Sequence, residues 1–366
     1  MHYRIFETWR LAAAVAIMIY HFLRFGPPEA LEAGAFLHRF LPLMEMFFMI
    51  SGYLIMERYG DVLMRGDQGF GKYLLRRIAR IYPLYLVTLG FFLLVTLAID
   101  QGLVSTDNPQ RFDWSTLPAN ILLIQAWGFT EHLTFNYVSW SLSAEWFCYL
   151  LLPAIVITYR MGGAGGLAVL AFASILALEI GIALGLIPFD SWLEANTWGA
   201  YRAFADFVLG ALVAVVVARS RSGLTSQAPG WILFGVALAA MGFRLESYVI
   251  VLLLALAMYF AAIAERNRPE ATTYLAPLHP LGKVSLGIYL IHPVVESVLL
   301  AIVWRWWIDP LVSSNLFYAF LIVPALVVFA LSILSDRFFE RPVGKAIVSL
   351  GDRRLKRGQP AHMPAE

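Results

Sequence analysis

Apolar residues run along this chain in blocks of roughly twenty, separated by short stretches that carry charge, glycine or proline. A block of that length matches a hydrocarbon layer of about 30 Å crossed at about 1.5 Å per residue. Ten such spans are read near 9–24, 40–57, 81–99, 139–158, 164–187, 201–218, 231–244, 246–264, 283–303 and 315–335. The pattern predicts an all-α, polytopic membrane bundle of about ten helices. A further apolar piece, 117–129, is short and carries Pro118, Asn120 and Gln125, so it is expected to be re-entrant or interfacial. The reading assigns 1–345 to one integral-membrane domain and 346–366 to a basic, flexible cytoplasmic tail.

Composition sharpens the class. The chain is 60% hydrophobic and 14% charged, whereas soluble domains run at about 45–50% and 25%. A soluble enzyme is excluded, and nothing calls for a nucleic-acid partner. The single cysteine, Cys148, excludes an intramolecular disulfide. The first span lacks the basic start of a cleavable signal.

The basic residues orient the bundle. If 117–129 does not cross, Arg58, Arg65, Lys72, Arg76, Arg77, Arg80, Arg160, Arg219, Arg221, Arg266, Arg268 and Lys283 share one side with Arg4 and the Lys/Arg-rich stretch 337–357. The opposite side then holds Arg24, Arg39, Arg111, Arg202, Arg244 and Arg305. That bias places both termini in the cytoplasm of a bacterial inner membrane. Trp192, Trp198, Trp304, Trp306 and Trp307 fall near span ends and read as interface anchors.

Charge inside apolar spans marks the chemistry. Glu7, Arg10 and His21 fall close to one face of the first span, with Arg10 and His21 about 16 Å apart along its axis. Ionisable groups near a bilayer centre cost about 2.5–3.5 kcal/mol on insertion scales, so they usually line a bundle interior or a wet cavity. The bland alternative is an interfacial Glu7–Arg10 pair with His21 snorkelling to the headgroups. Glu45 and Glu145 need partners for the same reason. Arg76, Arg77 and Arg80 precede Pro83 at helical spacing, either as a phosphate anchor or as an ordinary basic loop end. Ser143 reads as a nucleophile or a capping hydroxyl, and His292 as a cavity residue or a histidine at a proline kink. No metal-ligand cluster with useful spacing appears.

Taken in order, these residues resemble the membrane-bound acyltransferase 3 family of O-acyltransferases. The shared elements are Arg10-x10-His21, FF-x-x-SG over 47–52, RR-x-x-R over 76–80, W-S-L-S-x-E over 140–145, LGKVSLGIYLIHP over 281–293 and FFERP over 338–342. Two departures keep the charge but lengthen the side chain: the family usually has Asp where Glu7 stands, and often Asp where Glu45 stands. The resemblance implies a ten-span core, in stand-alone form without an appended esterase-like domain. It implies transfer of an acyl group, commonly acetyl, from cytoplasmic acyl-CoA to a hydroxyl of a sugar or glycoconjugate at the outer face. Acetyl-CoA would be a co-substrate and not a resident cofactor, and membrane lipids the surrounding partner.

On that reading His21 is the general base, Glu145 or Glu45 its orienting acid, and Arg10 a guide for the donor. Arg76, Arg77 and Arg80 bind its phosphates, while Glu7, Ser143 and His292 support the site. The rival class is a proton-coupled transporter using Glu45, Glu145 and His21; it leaves the arginine cluster unexplained.

Overall fold

The computed structural model describes residues 3–64, 69–189, 193 and 197–357, so Arg65, Trp192 and the end of the tail lie outside the described residues. Those residues are 82% helical with no strand. The principal helices are α1 (Arg4–Phe22), α2 (Pro28–His38), α3 (Leu43–Met64), α4 (Gly69–Asp100), α5 (Trp140–Leu150) and α6 (Leu152–Ala183). They continue as α7 (Gly199–Arg219), α8 (Ala228–Gly242), α9 (Ser247–Asn267), α10 (Ser285–Val295), α11 (Ile322–Ser335) and α12 (Arg341–Arg357). A π-helical run, Glu296–Ile308, prolongs α10.

Seven helices are long and apolar enough to cross a membrane, or eight when the α2–α3 pair, bent by 42°, is taken as one span. The ten spans read from the sequence are therefore approximate. α8 has only 15 residues. The sequence spans 139–158 and 164–187 meet in the long α6, which breaks at Gly163 (φ 59°, ψ −145°), a backbone state open to glycine. Trp304 is no interface anchor: it is 1% exposed and packs on Phe317 and Phe320. Trp306 and Trp307 are exposed as expected.

α7 is the centre of the bundle, with 72% of its apolar window buried, against 17% for α6. It meets α3 backbone to backbone. A Cβ on Gly52 would sit 2.0 Å from the Phe207 carbonyl oxygen, and one on Gly210 would sit 1.9 Å from that of Met49. In lipid, where water drives little helix association, such close approach of small residues supplies the packing. The glycine of FF-x-x-SG is thus a contact surface.

The piece 117–129 does not cross. It forms a five-residue helix, Leu117–Ile121, and then turns back into the bundle. Irregular backbone at this depth must be satisfied by protein. Tyr85 Oη donates to Asn120 O (2.6 Å), Asn136 Nδ2 to Leu290 O (3.1 Å) and Asn120 Nδ2 to Thr134 Oγ1 (2.9 Å). Leu123 and Phe135, both fully buried, hold positive φ (55° and 50°) as the loop reverses. This re-entrant loop delivers Tyr137 to the site.

Candidate functional site

α1 carries the site along its length. Near its start a cavity of about 670 Å³ is lined by Glu7, Arg10, Arg58, Arg77, Arg80, Lys283 and Arg341, with Glu57 and Asp336. Six cations face three acids. Asp336 is held by Arg341 (2.8 Å) and Lys283 (3.3 Å), an ion-pair hub that ties the LGK and FFERP segments together. Glu7 pairs with His279 (2.7 Å). Arg77 stacks against Tyr59, Tyr73 and Tyr149 with its carbon Cζ 5.6–5.8 Å from each ring centre, leaving its buried Nε without a hydrogen-bond partner.

The arginine triplet divides between two faces. Arg77 and Arg80 line the α1 cavity, whereas exposed Arg76 joins Arg80 in a shallower one against α12. Consecutive helical residues lie about 100° apart, and residues four apart nearly realign. Arg80 therefore serves both faces and Arg76 only one.

At the other end of α1, a cavity of about 850 Å³ is lined by Tyr20, His21, Arg24, Arg39, Glu45, Tyr137, Trp140, Arg202, Arg244, Glu246 and Tyr289, among others. Between the two cavities lies a void of only about 20 Å³. It shares Arg10 with the first cavity and Met44 and Tyr289 with the second, and Phe47, Phe48, Ser51, Ser141 and Glu145 complete it. That volume holds about one water molecule. The passage through the bundle is a closed neck.

His21 finds a histidine, not a carboxylate. His21 Nδ1 lies 2.8 Å from His292 Nε2, and His292 Nδ1 lies 3.3 Å from the Ile288 carbonyl oxygen. A carbonyl oxygen only accepts, so neutral His292 carries its proton on Nδ1 and accepts at Nε2. His21 must then donate from Nδ1, which leaves a lone pair on its Nε2. The backbone of α10 thus fixes the tautomer of a side chain on α1. Glu296, one turn beyond His292, accepts from Tyr137 Oη (2.8 Å), and the Tyr137 ring meets His21 edge-on at 5.0 Å. Donor atoms of His21, His292 and Glu296 lie within 4.8 Å of one another, a grouping that can take a cation. Two nitrogens on one tetrahedral zinc would stand about 3.3 Å apart, so the 2.8 Å contact is that of hydrogen-bonded rings.

Neither acid expected beside His21 is its hydrogen-bond partner. Glu145 accepts from Ser51 Oγ and Tyr149 Oη, each at 2.5 Å, and lines the neck with Arg10. Glu45 faces Arg202 across 3.3 Å, both almost wholly buried, and Arg202 lies over the Trp140 ring at 4.7 Å. Ser143 is fully buried. It donates to Leu123 O (2.8 Å) and accepts from Ala126 N (3.0 Å), clasping the re-entrant loop to α5.

Sequence reasoning passed over Arg202, Glu296, Tyr137 and Asp336 as site residues, and with them Asp206, which is buried one turn beyond Arg202 beside the Glu45–Arg202 pair. Arg202 and Asp206 stand four apart in an apolar span, and Glu296 stands four after His292; helical spacing could have grouped both pairs. Tyr137 and Asp336 had no local signal.

Comparison with known proteins fits this layout. A family model described as "Acyltransferase domain" matches residues 4–334. The chain belongs to this acyltransferase family. Nodulation protein 10 of Rhizobium leguminosarum bv. viciae is 25% identical over 97% of this chain and 96% of its own length. Acyltransferase MdmB of Streptomyces mycarofaciens is 33% identical over a shorter stretch, 30% of this chain and 27% of its own. No solved structure matches. The acyltransferase is thus a multi-pass membrane protein, and its matched region contains the larger cavity, the neck, the histidine pair and most of the first cavity's lining, with Asp336 and Arg341 beyond its end.

Proposed function

We propose that this acyltransferase moves an acyl group, acetyl by default, from acyl-CoA in the Arg77–Arg80 cavity to a hydroxyl of a sugar or glycoconjugate in the His21 cavity. The histidine relay carries the reading, because it leaves an unprotonated imidazole nitrogen on a residue that lines the larger cavity. The acceptor oxygen attacks the thioester carbonyl carbon, its proton passes to His21 Nε2, and the C–S bond breaks. The proton then returns to the departing CoA thiolate. General-base assistance of this kind contributes typically about 10²–10⁴-fold.

The phosphates of CoA meet Arg77 and Arg80 through charge-assisted bonds. Its thin pantetheine arm enters the neck, where Arg10 faces the negative charge that develops on the carbonyl oxygen and Glu145 balances Arg10. Side-chain rotation of Met44, Phe47 and Phe48 must open the neck, since about 20 Å³ admits no such arm. Both termini face the cytoplasm of a bacterial inner membrane on this reading, following the distribution of Lys and Arg. A C-terminal reporter found outside the cell reverses that orientation.

The test is thermal unfolding of the detergent-purified protein with and without acetyl-CoA. Ligand at a hundred times its Kd stabilises by about 2.7 kcal/mol. Arg77→Ala/Arg80→Ala should lose the shift, and so, in large part, should Arg80→Ala alone, whose side chain is exposed. Transfer of radiolabelled acetyl to membrane glycoconjugates should then fall by about 10²-fold or more in His21→Ala. A shift that survives the arginine changes, or transfer that survives loss of His21, sinks the corresponding half of the proposal.

A further inference from the structure

The half of the protein that carries His21 is poor in cations. Of its six basic residues, four converge on one cavity: Arg24, Arg39, Arg202 and Arg244 all line the His21 chamber, which has two carboxylates, Glu45 and Glu246. Two histidines, His21 and His38, add no negative charge. Among the described residues only Arg202 makes an ion pair there, with Glu45. Arg24 lies over the Tyr20 ring (5.4 Å), and Arg39 donates to the Gly242 carbonyl (2.8 Å) while its buried Nε has no partner. Burial without a partner costs a polar group free energy, so such donors are expected to meet a ligand.

Two details point the same way. Arg202 is 3% exposed, yet its Nε and Nη1 lack hydrogen-bond partners although the residue lines the chamber. Arg244 occupies the position after α8 where a helix usually ends on glycine. Its φ is +56°, its N–H bonds Met241 O (3.0 Å), and the next N–H, of Leu245, bonds Ala240 O (2.9 Å). A long cationic side chain stands where the backbone favours none.

We propose that the acceptor bound in the His21 chamber is anionic, a glycoconjugate bearing a phosphate or carboxylate gripped by Arg24, Arg39, Arg202 and Arg244. This rests on the reading of that chamber as the acceptor site. Guanidinium forks hold planar carboxylates and phosphates in fixed orientation, so the anion would position the neighbouring sugar hydroxyl at His21. A neutral sugar would leave the partnerless nitrogens of Arg39 and Arg202 buried without return and would draw nothing from the exposed Arg24 and Arg244.

The test uses the full chain in detergent at low salt, with three probes: a hexose 1-phosphate, a hexuronate and a neutral methyl hexoside. At least one anionic probe should raise the melting temperature, and the neutral one should not. The preferred anion names the acidic group. In Arg24→Gln/Arg244→Gln, both exposed positions, affinity for that probe should fall about tenfold, and added salt should weaken it in the parent. Equal stabilisation by all three probes overturns the proposal. So does failure of both anions in a preparation that acetyl-CoA still stabilises. Loss of the acetyl-CoA shift in Arg24→Gln/Arg244→Gln would make this chamber the donor site and also overturn it. Anionic stabilisation with no acetyl-CoA shift would instead strike only the donor assignment.

Discussion

His292 lies 271 residues beyond His21 in the chain and 2.8 Å from it in the fold, and its task is to accept one proton bond. If His21 is the base, as proposed, a side chain that keeps an acceptor there should keep it oriented. His292→Ala should cut acyl transfer by about 10²-fold, whereas His292→Gln, whose amide oxygen can accept from His21 Nδ1, should restore part of it. Equal loss in both variants, measured by radiolabelled transfer per folded molecule, would falsify the tautomer argument. Ser143 gives the opposite case. Ser143→Ala removes two hydrogen bonds to the re-entrant loop and should destabilise by about 1–3 kcal/mol, while folded enzyme keeps most of its turnover. Abolished transfer in a protein of unchanged stability would make Ser143 a nucleophile. At this scale the sequence picked out ionisable residues that line the two cavities and the neck, because a charged or imidazole group in an apolar span stands out by itself. It did not show that Glu145 serves the neck and Glu45 the larger chamber, since a partner is chosen by packing between helices and not by spacing along one.

At the scale of elements, helical period and apolar length made most of the bundle legible. The stripe of Glu7, Arg10 and His21 on α1 survives in the fold, with the first two residues lining one cavity and His21 the other. The turning back of 117–129 was readable from its short length and polar residues. The partners that hold it, from Tyr85 to Leu290, were not. Nor was the α3–α7 contact, where two glycines bring carbonyls to within 2 Å of where a Cβ would lie. Gly210→Ala must push α7 from α3, an overpacking penalty of about 3 kcal/mol. The same displacement pulls Arg202 from Glu45. Unfolding in detergent should therefore shift downward, and an unchanged melting temperature would show that the helices have slack.

The whole molecule is a bundle with a basic cavity at each end of α1 and a neck between them. If the acyl group must pass that neck, narrowing it should separate binding from transfer. Ser141→Leu fills space beside Phe48 and Tyr289; the acetyl-CoA melting shift should persist while acyl transfer drops by about tenfold or more. Transfer at the parental rate would mean that the group takes another path. Seven or eight long helices are found for ten apolar segments because α8 stays short, and because the segment 139–158 is divided between α5 and the part of α6 that precedes the backbone break at Gly163.

Hydropathy, helical period and motif order act within one segment, so the sequence alone determined the membrane class, the chemically loaded face of α1 and the resemblance to an acyltransferase. Cavities, proton-bond partners and the division of Arg76 from Arg77 depend on which helices meet and at what rotation. Only the tertiary structure could decide that His21 leans on His292 and that four scarce arginines surround one chamber, because those contacts join residues that nothing in the local chain connects.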